Sequence, residues 1–404
     1  MDAAVLLVFG FVYLGMILGR IPGLALDRTG VALLGAIVLL AAGRVGPDDA
    51  IAAIDAPTLA LLFGLMVVSA QFRLGGFYSH LVRQLAAIEI SPGRLLALLI
   101  GLVGVLSAVL ANDIVCLAVA PVLAEGCARR GLDPKPFLLA LACAANVGSA
   151  ATLIGNPQNI LIGQVLRLSF GRYLVDAGPP AAAGLVVVWW VIWRRTAGRW
   201  RRETAVPEVE TPPFNAWQTA KGLAVICALV VSFLVSPWPR EVLALVAAGL
   251  LLCSRRMRSS RMLNLVDWQL LVLFVGLFVV NHALEVSGAP EAAKDLLVSR
   301  GVRLENPGWL FGVSVVLSNL VSNVPAVMLL LSSAAHPWAG PVLALSSTLA
   351  GNLLIVGSIA NIIVVDQAAR LGVGITWREH ARVGAPVTLW TLGVAALWLW
   401  LRAG

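Results

Sequence analysis

Charged residues are scarce along this chain. Aspartate, glutamate, lysine and arginine make up 12% of its 404 residues, whereas 59% are hydrophobic. A soluble protein carries roughly 25% charged residues. Mean hydropathy is +0.91. This composition excludes an ordinary soluble domain and predicts an all-α polytopic membrane protein, with room for about ten to twelve spans of ~20 residues.

Metal-binding and catalytic signatures are also missing. The five cysteines lie singly in or beside apolar segments, without the CxxC spacing of a structural zinc site, and they do not form a disulfide framework. No HExxH motif, paired-aspartate motif or Ser/His constellation occurs in the apolar segments, so we expect no enzyme and no resident cofactor. The net charge of +8 comes mostly from arginines in short loops, which set membrane topology and do not indicate a nucleic-acid partner.

The chain instead contains two similar halves of five candidate spans each. Segment 1–193 forms the first half, segment 222–404 the second, and the polar segment 194–221 is the cytoplasmic linker between them. Segments 77–90 and 289–300 carry scattered charge and are predicted to be interfacial helices. The predicted spans are 4–19, 30–43, 57–72, 136–166 and 179–193, then 222–236, 241–254, 268–284, 340–369 and 384–401.

Matched residues recur at nearly constant offsets between the halves. Four pairs are 212 residues apart, the serines and asparagines of a later motif are 211 apart, and a final glycine and asparagine are 202 apart. The pairs are Arg28/Arg240, Asp55/Asp267, Gly64/Gly276, Gly76/Gly288, Ser107/Ser318, Asn112/Asn323, Gly155/Gly357 and Asn159/Asn361. Because five spans per half is an odd number, the second half must be inserted upside down, which is the pattern of an inverted-repeat transporter.

Two apolar stretches in each half are interrupted. Segments 95–124 and 307–335 break at Ala-Asn-Asp and Ser-Asn-Val-Pro, and we predict re-entrant helical hairpins because one helix of that length would overshoot a ~30 Å hydrocarbon core. Segments 136–166 and 340–369 contain Gly-Asn-Pro and Gly-Ser breaks and are predicted to be discontinuous helices. Non-helical backbone at this depth is tolerated only against protein or a water-filled cavity, so the breaks indicate the binding site.

The distribution of basic residues orients the chain. If the linker is cytoplasmic, 21 of the 29 lysines and arginines fall on the cytoplasmic side, as the positive-inside rule requires. We therefore expect a multi-pass protein of the bacterial inner membrane with both termini in the periplasm. The first hairpin would then enter from the cytoplasm and the second from outside.

Asp113 is the only formal charge between Arg94 and Glu125, and it lies at the first hairpin tip. A carboxylate at this depth is costly and is therefore a functional candidate, which would hold a coupling cation or carry a proton. The alternative is structural, since aspartate is a favoured N-cap. The matching residue of the second half is Val324, so any carboxylate-based coupling would rest on one half.

Amides and broken backbone around the tips supply the other candidates. A tip asparagine can ligate a cation through its carbonyl and donate to an oxyanion through its NH2 group. Helix N-termini after the breaks suit a small anion or a polar hydroxylated solute, and unwound carbonyls suit Na⁺. We predict a substrate site of Asn112, Asn323, Ser322, Asn156, Pro157, Asn159, Ser358 and Asn361. We predict an ion-coupling set of Asp113, Asn112, Ser107, Gly148, Ser318, Asn323 and Gly357, with Na⁺ at Asn112/Asp113 and at Asn323.

Four motifs carry a resemblance to the ion transporter superfamily. In order they are Ala111-Asn-Asp113, Gly148-Ser-Ala-Ala-Thr-Leu-Ile-Gly-Asn-Pro-Gln-Asn159, Ser322-Asn-Val-Pro325 and Ala350-Gly-Asn-Leu-Leu-Ile-Val-Gly-Ser-Ile-Ala-Asn361. Within that superfamily the chain is most similar to the ArsB/NhaD-type permeases, which include arsenite-efflux and anion permeases and are distantly similar to divalent anion:Na⁺ symporters.

The resemblance implies a homodimer with elevator-like motion that carries inorganic or organic anions, or arsenite, coupled to Na⁺ or H⁺. The first three spans of each half would be the scaffold, and the hairpins and broken helices would move. The dicarboxylate branch has Ser-Asn-Thr at both tips, whereas a hydroxyl is missing at each tip here. This argues against di- and tricarboxylates, and the Asn-Asp tip is closer to the arsenite-efflux members. A Na⁺/H⁺ antiporter, in which Asp113 carries the exchange, is the alternative.

Overall fold

The computed structural model describes residues 2–19, 21 and 23–403, and over these ranges the chain folds into twenty α-helices without a β-strand. The first ten are α1 Ala3–Leu18, α2 Arg28–Ala41, α3 Pro47–Ala53, α4 Ala56–Leu74, α5 Phe77–Ala87, α6 Pro92–Val109, α7 Asn112–Arg129, α8 Pro134–Ser149, α9 Pro157–Val165 and α10 Phe170–Thr196. The others are α11 Ala216–Val235, α12 Arg240–Leu252, α13 Ser259–Leu263, α14 Trp268–Val286, α15 Ala289–Ser299, α16 Pro307–Val321, α17 Asn323–Leu331, α18 Ala339–Ala350, α19 Ile359–Arg370 and α20 Trp377–Ala403. A 3₁₀ turn, Ile355–Gly357, precedes α19.

The same order of long, short, paired and broken helices occurs in both sets of ten. Helices α4 and α14 each contain 19 residues and begin with an aspartate cap. Asp55 Oδ1 accepts from the Thr58 N–H at 2.8 Å, and Asp267 Oδ1 accepts from the Leu270 N–H at 2.9 Å. Sequence similarity at the 212-residue offset therefore corresponds to similar local structure, while the inversion of the second half stays a prediction.

Two glycines let the halves pack crosswise. A Cβ on Gly64 of α4 would collide with the backbone of Ala244 in α12, and a Cβ on Gly276 of α14 would collide with the backbone of Ala32 in α2. Small residues permit this close approach between membrane helices. Helices α2, α4, α12 and α14 thus form one interlocked core to which both halves contribute equally.

Six of the twenty described helices are long and apolar enough to cross a bilayer, judged by length and composition. They are α4, α6, α10, α11, α14 and α20. Helices α1, α2, α16 and α18 are apolar but shorter. The predicted fold class, an all-α polytopic membrane protein, is confirmed. Helices α10 and α20 are longer than the predicted spans 179–193 and 384–401, with 27 residues each, because their polar first turns stay helical beyond the apolar window.

The two hairpins and the two broken helices position the site. Helix α6 ends at Val109 before α7 begins at Asn112, and α16 ends at Val321 before α17 begins at Asn323. Helix α8 gives way to an irregular stretch before Pro157 starts α9, and the 3₁₀ turn separates α18 from α19. All four interruptions fall inside the segments 95–124, 136–166, 307–335 and 340–369.

Candidate functional site

The tip of the first hairpin lies between α4 and the first broken helix. The Ala111 N–H donates to Ser69 Oγ on α4 at 3.3 Å, and the Asn112 N–H donates to the Gly155 carbonyl at 3.3 Å. The Asn112 side chain is 4% exposed, and its Oδ1 has no hydrogen-bond partner among the described residues; the same holds for the fully buried Ser107 Oγ. Buried oxygens without partners are rare in native proteins and need a water, an ion or another group to satisfy them.

Asp113 faces a cavity and does not cap its helix. Helix α7 has Ala111 as its N-cap, with no side-chain capping hydrogen bond. The Asp113 side chain instead lines a cavity of about 250 Å³. The described residues therefore show no capping hydrogen bond from this carboxylate, and its functional role stays a prediction.

The cavity lies between α4, α7, α9 and the start of α14. Its polar lining comes from Arg73, Asp113, Asn156, Asn264 and Asp267, and the remaining lining is mostly leucine and isoleucine. Two aspartates, one arginine and two asparagines thus line one small space with apolar walls. Such a combination of few polar groups on an apolar background is typical of a small-solute site.

Asn159 holds the first broken helix together. Its Nδ2 donates to the carbonyls of Ser149 at 3.3 Å and Thr152 at 2.9 Å, both in the stretch where α8 ends and unwinds. Asn156 Oδ1 accepts from the Asn159 N–H at 2.9 Å and so caps α9. These bonds satisfy carbonyls that the interrupted helix leaves without intrahelical donors.

Asn361 makes the corresponding bonds in the second broken helix. Its Nδ2 donates to the carbonyls of Gly351 at 2.8 Å and Leu354 at 3.1 Å. These two residues match Ser149 and Thr152 at the same 202-residue offset that relates Asn361 to Asn159. The two breaks are therefore stabilised by one device used twice.

Each broken helix is also bonded by a side chain from the other half. Thr348 Oγ1 on α18 accepts from Asn156 Nδ2 at 3.3 Å and donates to Asn159 Oδ1 at 3.4 Å. Asn146 on α8 accepts through Oδ1 from Ser358 Oγ at 2.8 Å and donates through Nδ2 to Asn361 Oδ1 at 3.0 Å. Asn146 and Thr348 are themselves 202 residues apart. Each half therefore stabilises the broken helix of the other half with a residue at the matched position.

The second hairpin tip has a more saturated asparagine. Ser322 adopts a left-handed backbone conformation, φ 74°, just before α17. The surrounding groups orient the Asn323 amide so that its nitrogen donates to the Ser347 and Gly357 carbonyls at 3.0 and 3.2 Å, and its oxygen accepts from Gln158 Nε2 at 3.3 Å. Asn323 therefore has no free oxygen, unlike Asn112.

The structure separates the predicted site residues into three groups. Asp113, Asn156 and Pro157 line the cavity. Asn112, Ser107 and Ser318 are buried and carry oxygens without partners among the described residues. The remaining predicted residues belong to the interruptions, where they bond or pack against neighbouring backbone: Asn159, Asn323, Ser358, Asn361, Gly148, Gly357 and Ser322. A direct contact of this last group with substrate stays a prediction.

Sequence reasoning missed several polar groups of the site. Arg73 lies one residue beyond the predicted span 57–72, yet it belongs to the last turn of α4 and lines the cavity. Asn146 and Thr348 lie inside the predicted spans 136–166 and 340–369 and are not among the predicted site residues. Their signal was available, because the 202-residue offset that relates the two breaks also pairs these two polar residues inside apolar helices. Within the described residues no group of three His, Cys, Asp or Glu is arranged to hold a metal ion.

Comparison with known proteins fixes the family. A family model described as "Citrate transporter" (CitMHS) matches residues 5–342. The chain belongs to the CitMHS family. It is a secondary transporter of this family and not an enzyme, as the sequence predicts. The assignment to the wider transporter class is thereby confirmed, and the narrower ArsB/NhaD-type specificity stays a proposal.

Several relatives of this CitMHS chain extend over nearly all of it. An uncharacterized transporter of Mycobacterium tuberculosis is 31% identical over 93% of this chain and 94% of its own length. The silicon efflux transporter LSI3 of Oryza sativa is 28% identical over 94% of each chain. The inner membrane protein YbiR of Escherichia coli is 31% identical over 84% of this chain and 86% of its own length. The protein is thus a multi-pass membrane protein with bacterial inner-membrane relatives.

A solved structure shares the fold of this CitMHS chain. The YdaH transporter of Alcanivorax borkumensis superimposes with a TM-score of 0.59 at 16% sequence identity, and the match covers 100% of this chain and 99% of that one. At this identity the likeness concerns the fold alone. It agrees with an all-helical transporter architecture.

Proposed function

We propose that this CitMHS protein moves a small anion, oxyanion or hydroxylated oxyacid of the arsenite, inorganic-anion or carboxylate class, coupled to Na⁺ or H⁺, as ArsB/NhaD-type permeases do. The observation that carries the proposal is the cavity shared by Asp113, Arg73 and Asn156. Asp113 supplies a carboxylate for the coupling cation or proton. Arg73 and the N-terminus of α9 beside Asn156 supply positive potential for an oxyanion.

Oxygens at the first hairpin favour a cation as the coupling partner. Asn112 Oδ1 and Ser107 Oγ are buried without partners among the described residues, and Asp113 follows Asn112 directly. Hard cations prefer carboxylate, carbonyl and hydroxyl oxygens, and unwound carbonyls next to broken helices are typical Na⁺ ligands in transporters. The second tip has Val324 in place of the carboxylate and a saturated Asn323, so we place the coupling ion at the first tip.

Unequal contacts at matched positions support elevator-like motion. On α4, Ser69 meets the Ala111 N–H at the first tip. The matched residue on α14 is Asn281, which contacts Met328 Sδ at 3.6 Å. The counterpart of Ala111 at the 211-residue offset is Ser322, so this contact lies six residues beyond the second hairpin tip. If the two hairpins enter from opposite sides, both contacts describe one displacement of the moving part toward the base of the first hairpin.

Two matched arginines support a displacement in the same direction. Arg240 at the start of α12 donates through Nη2 to the Gly163 carbonyl at 2.7 Å, well along α9. Arg28 at the start of α2 reaches the Val356 carbonyl at 3.5 Å, inside the second break. The counterpart of Gly163 would be Val365, nine residues further on. The break of the first half therefore lies far from Arg240, whereas the break of the second half lies close to Arg28.

The packing of the interfacial helices agrees with this displacement. Helix α5 buries Tyr78 and Val82 against its neighbours, whereas α15 buries no residue. A crevice of about 700 Å³ separates α14, α15 and α17. Exchange of the hairpin contacts made by Ser69 and Asn281 would carry the moving part by six residues of helix, about 9 Å at 1.5 Å per residue. We infer that a homodimer, as the resemblance implies, would hold the scaffold still during this motion.

A second candidate function is Na⁺/H⁺ antiport. The observation in its favour is that Asp113 and Asp267 line the same cavity, since paired carboxylates can exchange a cation for protons without any anion. The mechanism would then use the first hairpin in the same way but would leave Arg73 without a substrate to bind.

Reconstituted protein distinguishes these functions. Proteoliposomes would be tested for uptake of labelled arsenite, sulfate and dicarboxylates under an imposed Na⁺ or pH gradient, and in parallel for dye-reported pH changes after Na⁺ pulses. The proposal predicts gradient-driven accumulation of one solute class. A pH response to Na⁺ that does not depend on any added anion would establish the antiporter instead. The absence of both responses would contradict both functions.

A further inference from the structure

A second polar cleft lies away from the transport cavity. It has a volume of about 630 Å³ and is formed by the start of α8, the end of α10 and the start of α20. Four basic side chains line it, and only Asp133 and Glu379 line it as acids. The basic residues are Lys135, Arg195, Arg199 and Arg382. Cations therefore outnumber acids by two.

Among the described residues, neither acid of the cleft is paired with an arginine. Lys135 Nζ pairs with Glu379 Oε1 at 2.7 Å, and Asp133 Oδ1 accepts from the Lys135 N–H at 3.0 Å. Arg195 and Arg382 are exposed, and among the described residues neither guanidinium has a carboxylate within 4 Å. The cleft therefore presents two arginine forks that the protein does not neutralise.

The walls of the cleft are fixed by the chain that follows α10. The Asp133 N–H donates to the Trp200 carbonyl at 2.8 Å, and the Trp200 ring packs 5.8 Å from the ring of Phe137. The apolar part of the lining comes from Leu139, Ile192 and Val383. The cleft thus combines basic side chains with an apolar lining, so it suits a ligand that has both a charged and an apolar part.

Tryptophans place the cleft at the level of the membrane interface. Trp193 and Trp377 are 47% and 57% exposed near the ends of α10 and α20 that form the cleft, and exposed tryptophans in such positions mark the headgroup region. The charge asymmetry of the chain assigns this side to the cytoplasm. At the opposite end of the same helix pair, Arg402 pairs with Asp176 at 2.7 Å.

We propose that this cleft binds the phosphodiester headgroup of an anionic phospholipid of the cytoplasmic leaflet, with Arg195 and Arg382 as its main ligands. Guanidinium forks match phosphate oxygens bidentately, and basic pockets between membrane helices on the cytoplasmic side bind anionic headgroups. A lipid fits better than a soluble anion because part of the lining is apolar and the adjoining helix faces expose Trp193 and Trp390. The acyl chains would lie along α10 and α20.

Native mass spectrometry of the delipidated full-length protein tests the assignment with phosphatidylglycerol and phosphatidylcholine as probes. Phosphatidylglycerol should bind preferentially. The double variant Arg195→Gln/Arg382→Gln should lose at least about tenfold of that affinity, since each basic residue contributes about a factor of five. The matched control, Arg255→Gln/Arg256→Gln, removes two exposed arginines elsewhere on the same predicted side and should bind like the unmodified protein.

Three results would overturn the proposal. They are equal retention of the two lipids, equal loss in the control variant, and displacement of phosphatidylglycerol by millimolar inorganic phosphate, which would identify a soluble-anion site. The charge-conserving variant Arg195→Lys/Arg382→Lys guards against misfolding. It should bind phosphatidylglycerol more tightly than the double glutamine variant and less tightly than the unmodified protein, because lysine keeps the charge but loses the bidentate fork. Binding no tighter than the glutamine variant, at the unmodified unfolding temperature, would also count against the assignment.

Discussion

Asn146 of α8 donates through Nδ2 to Oδ1 of Asn361 in α19 at 3.0 Å, although the two residues belong to different halves of the chain. Thr348 repeats the arrangement toward Asn159 at 3.4 Å. Asn159 and Asn361 in turn hold the carbonyls of their own breaks. Each interruption is thus stabilised from the opposite half, which joins the two broken helices into one unit able to move together.

Removal of Asn361 should destabilise this unit. The variant Asn361→Ala leaves the Gly351 carbonyl without its side-chain donor, while the Leu354 carbonyl keeps only the Gly357 N–H at 3.1 Å. A buried unsatisfied group costs about 1–3 kcal/mol. We expect thermal unfolding of the purified protein in detergent at a clearly lower temperature, and a similar loss for Asn159→Ala. Gln269→Ala is the control, because its side chain is exposed. Equal unfolding temperatures for Asn361→Ala and the control would contradict the structural role.

Asp113 should couple transport to the cation gradient. The variant Asp113→Asn keeps the size of the side chain but removes the charge that holds the cation or proton. We expect normal folding and retained solute exchange between equal compartments, with loss of gradient-driven accumulation in proteoliposomes. The control Asp366→Asn removes an exposed acid on α19 and should accumulate normally. Accumulation by Asp113→Asn at the unmodified level would remove this carboxylate from the mechanism.

Arg73 should determine whether the solute binds as an anion. A hydrogen bond to a charged group contributes about 1.5–3 kcal/mol, so Arg73→Gln should raise the KM for an anionic solute roughly tenfold to a hundredfold. The KM for an uncharged oxyacid should change little. Arg94→Gln, an exposed arginine at the start of α6, serves as the control. An unchanged KM for every anion tested would exclude Arg73 from the substrate site.

The interruptions were predictable because their chemistry is local. Glycine, proline and asparagine inside an apolar stretch mark broken backbone wherever the stretch lies in the fold, so the hairpin breaks at Asn112 and Asn323 could be read from the sequence. The lengths of α10 and α20 could not, because their polar first turns, such as the one at Arg172, remain helical through packing and capping that hydropathy does not register.

The partners of the interruptions were much less predictable. Asn159 was expected to line the site, yet its amide is engaged with Ser149, Thr152 and Thr348. Which partner the Asn159 amide contacts depends on how helices from opposite halves cross. That crossing is a tertiary property, which the sequence does not give directly. Arg73 shows the same limit, since its position in a cavity follows from the placement of the first hairpin against α4.

The orientation of the chain gives a separate prediction. The charge asymmetry predicts that both termini lie in the periplasm, so a C-terminal alkaline phosphatase fusion should be active and a C-terminal green fluorescent protein fusion dark. The same reporters fused after Arg202, in the linker, should give the opposite pattern. A fluorescent C-terminal fusion would reverse the assignment of sides, including that of the basic cleft.

The exchange of hairpin contacts is the central claim, and paired cysteines in a background without the five native cysteines test it most directly. The pair Ser69→Cys/Ala111→Cys joins the contact present in this structure, and Asn281→Cys/Ser322→Cys joins its counterpart in the opposite state. We predict that each pair cross-links in active proteoliposomes and that either cross-link stops transport until it is reduced. Failure of the Asn281/Ser322 pair to cross-link while transport proceeds would contradict the account.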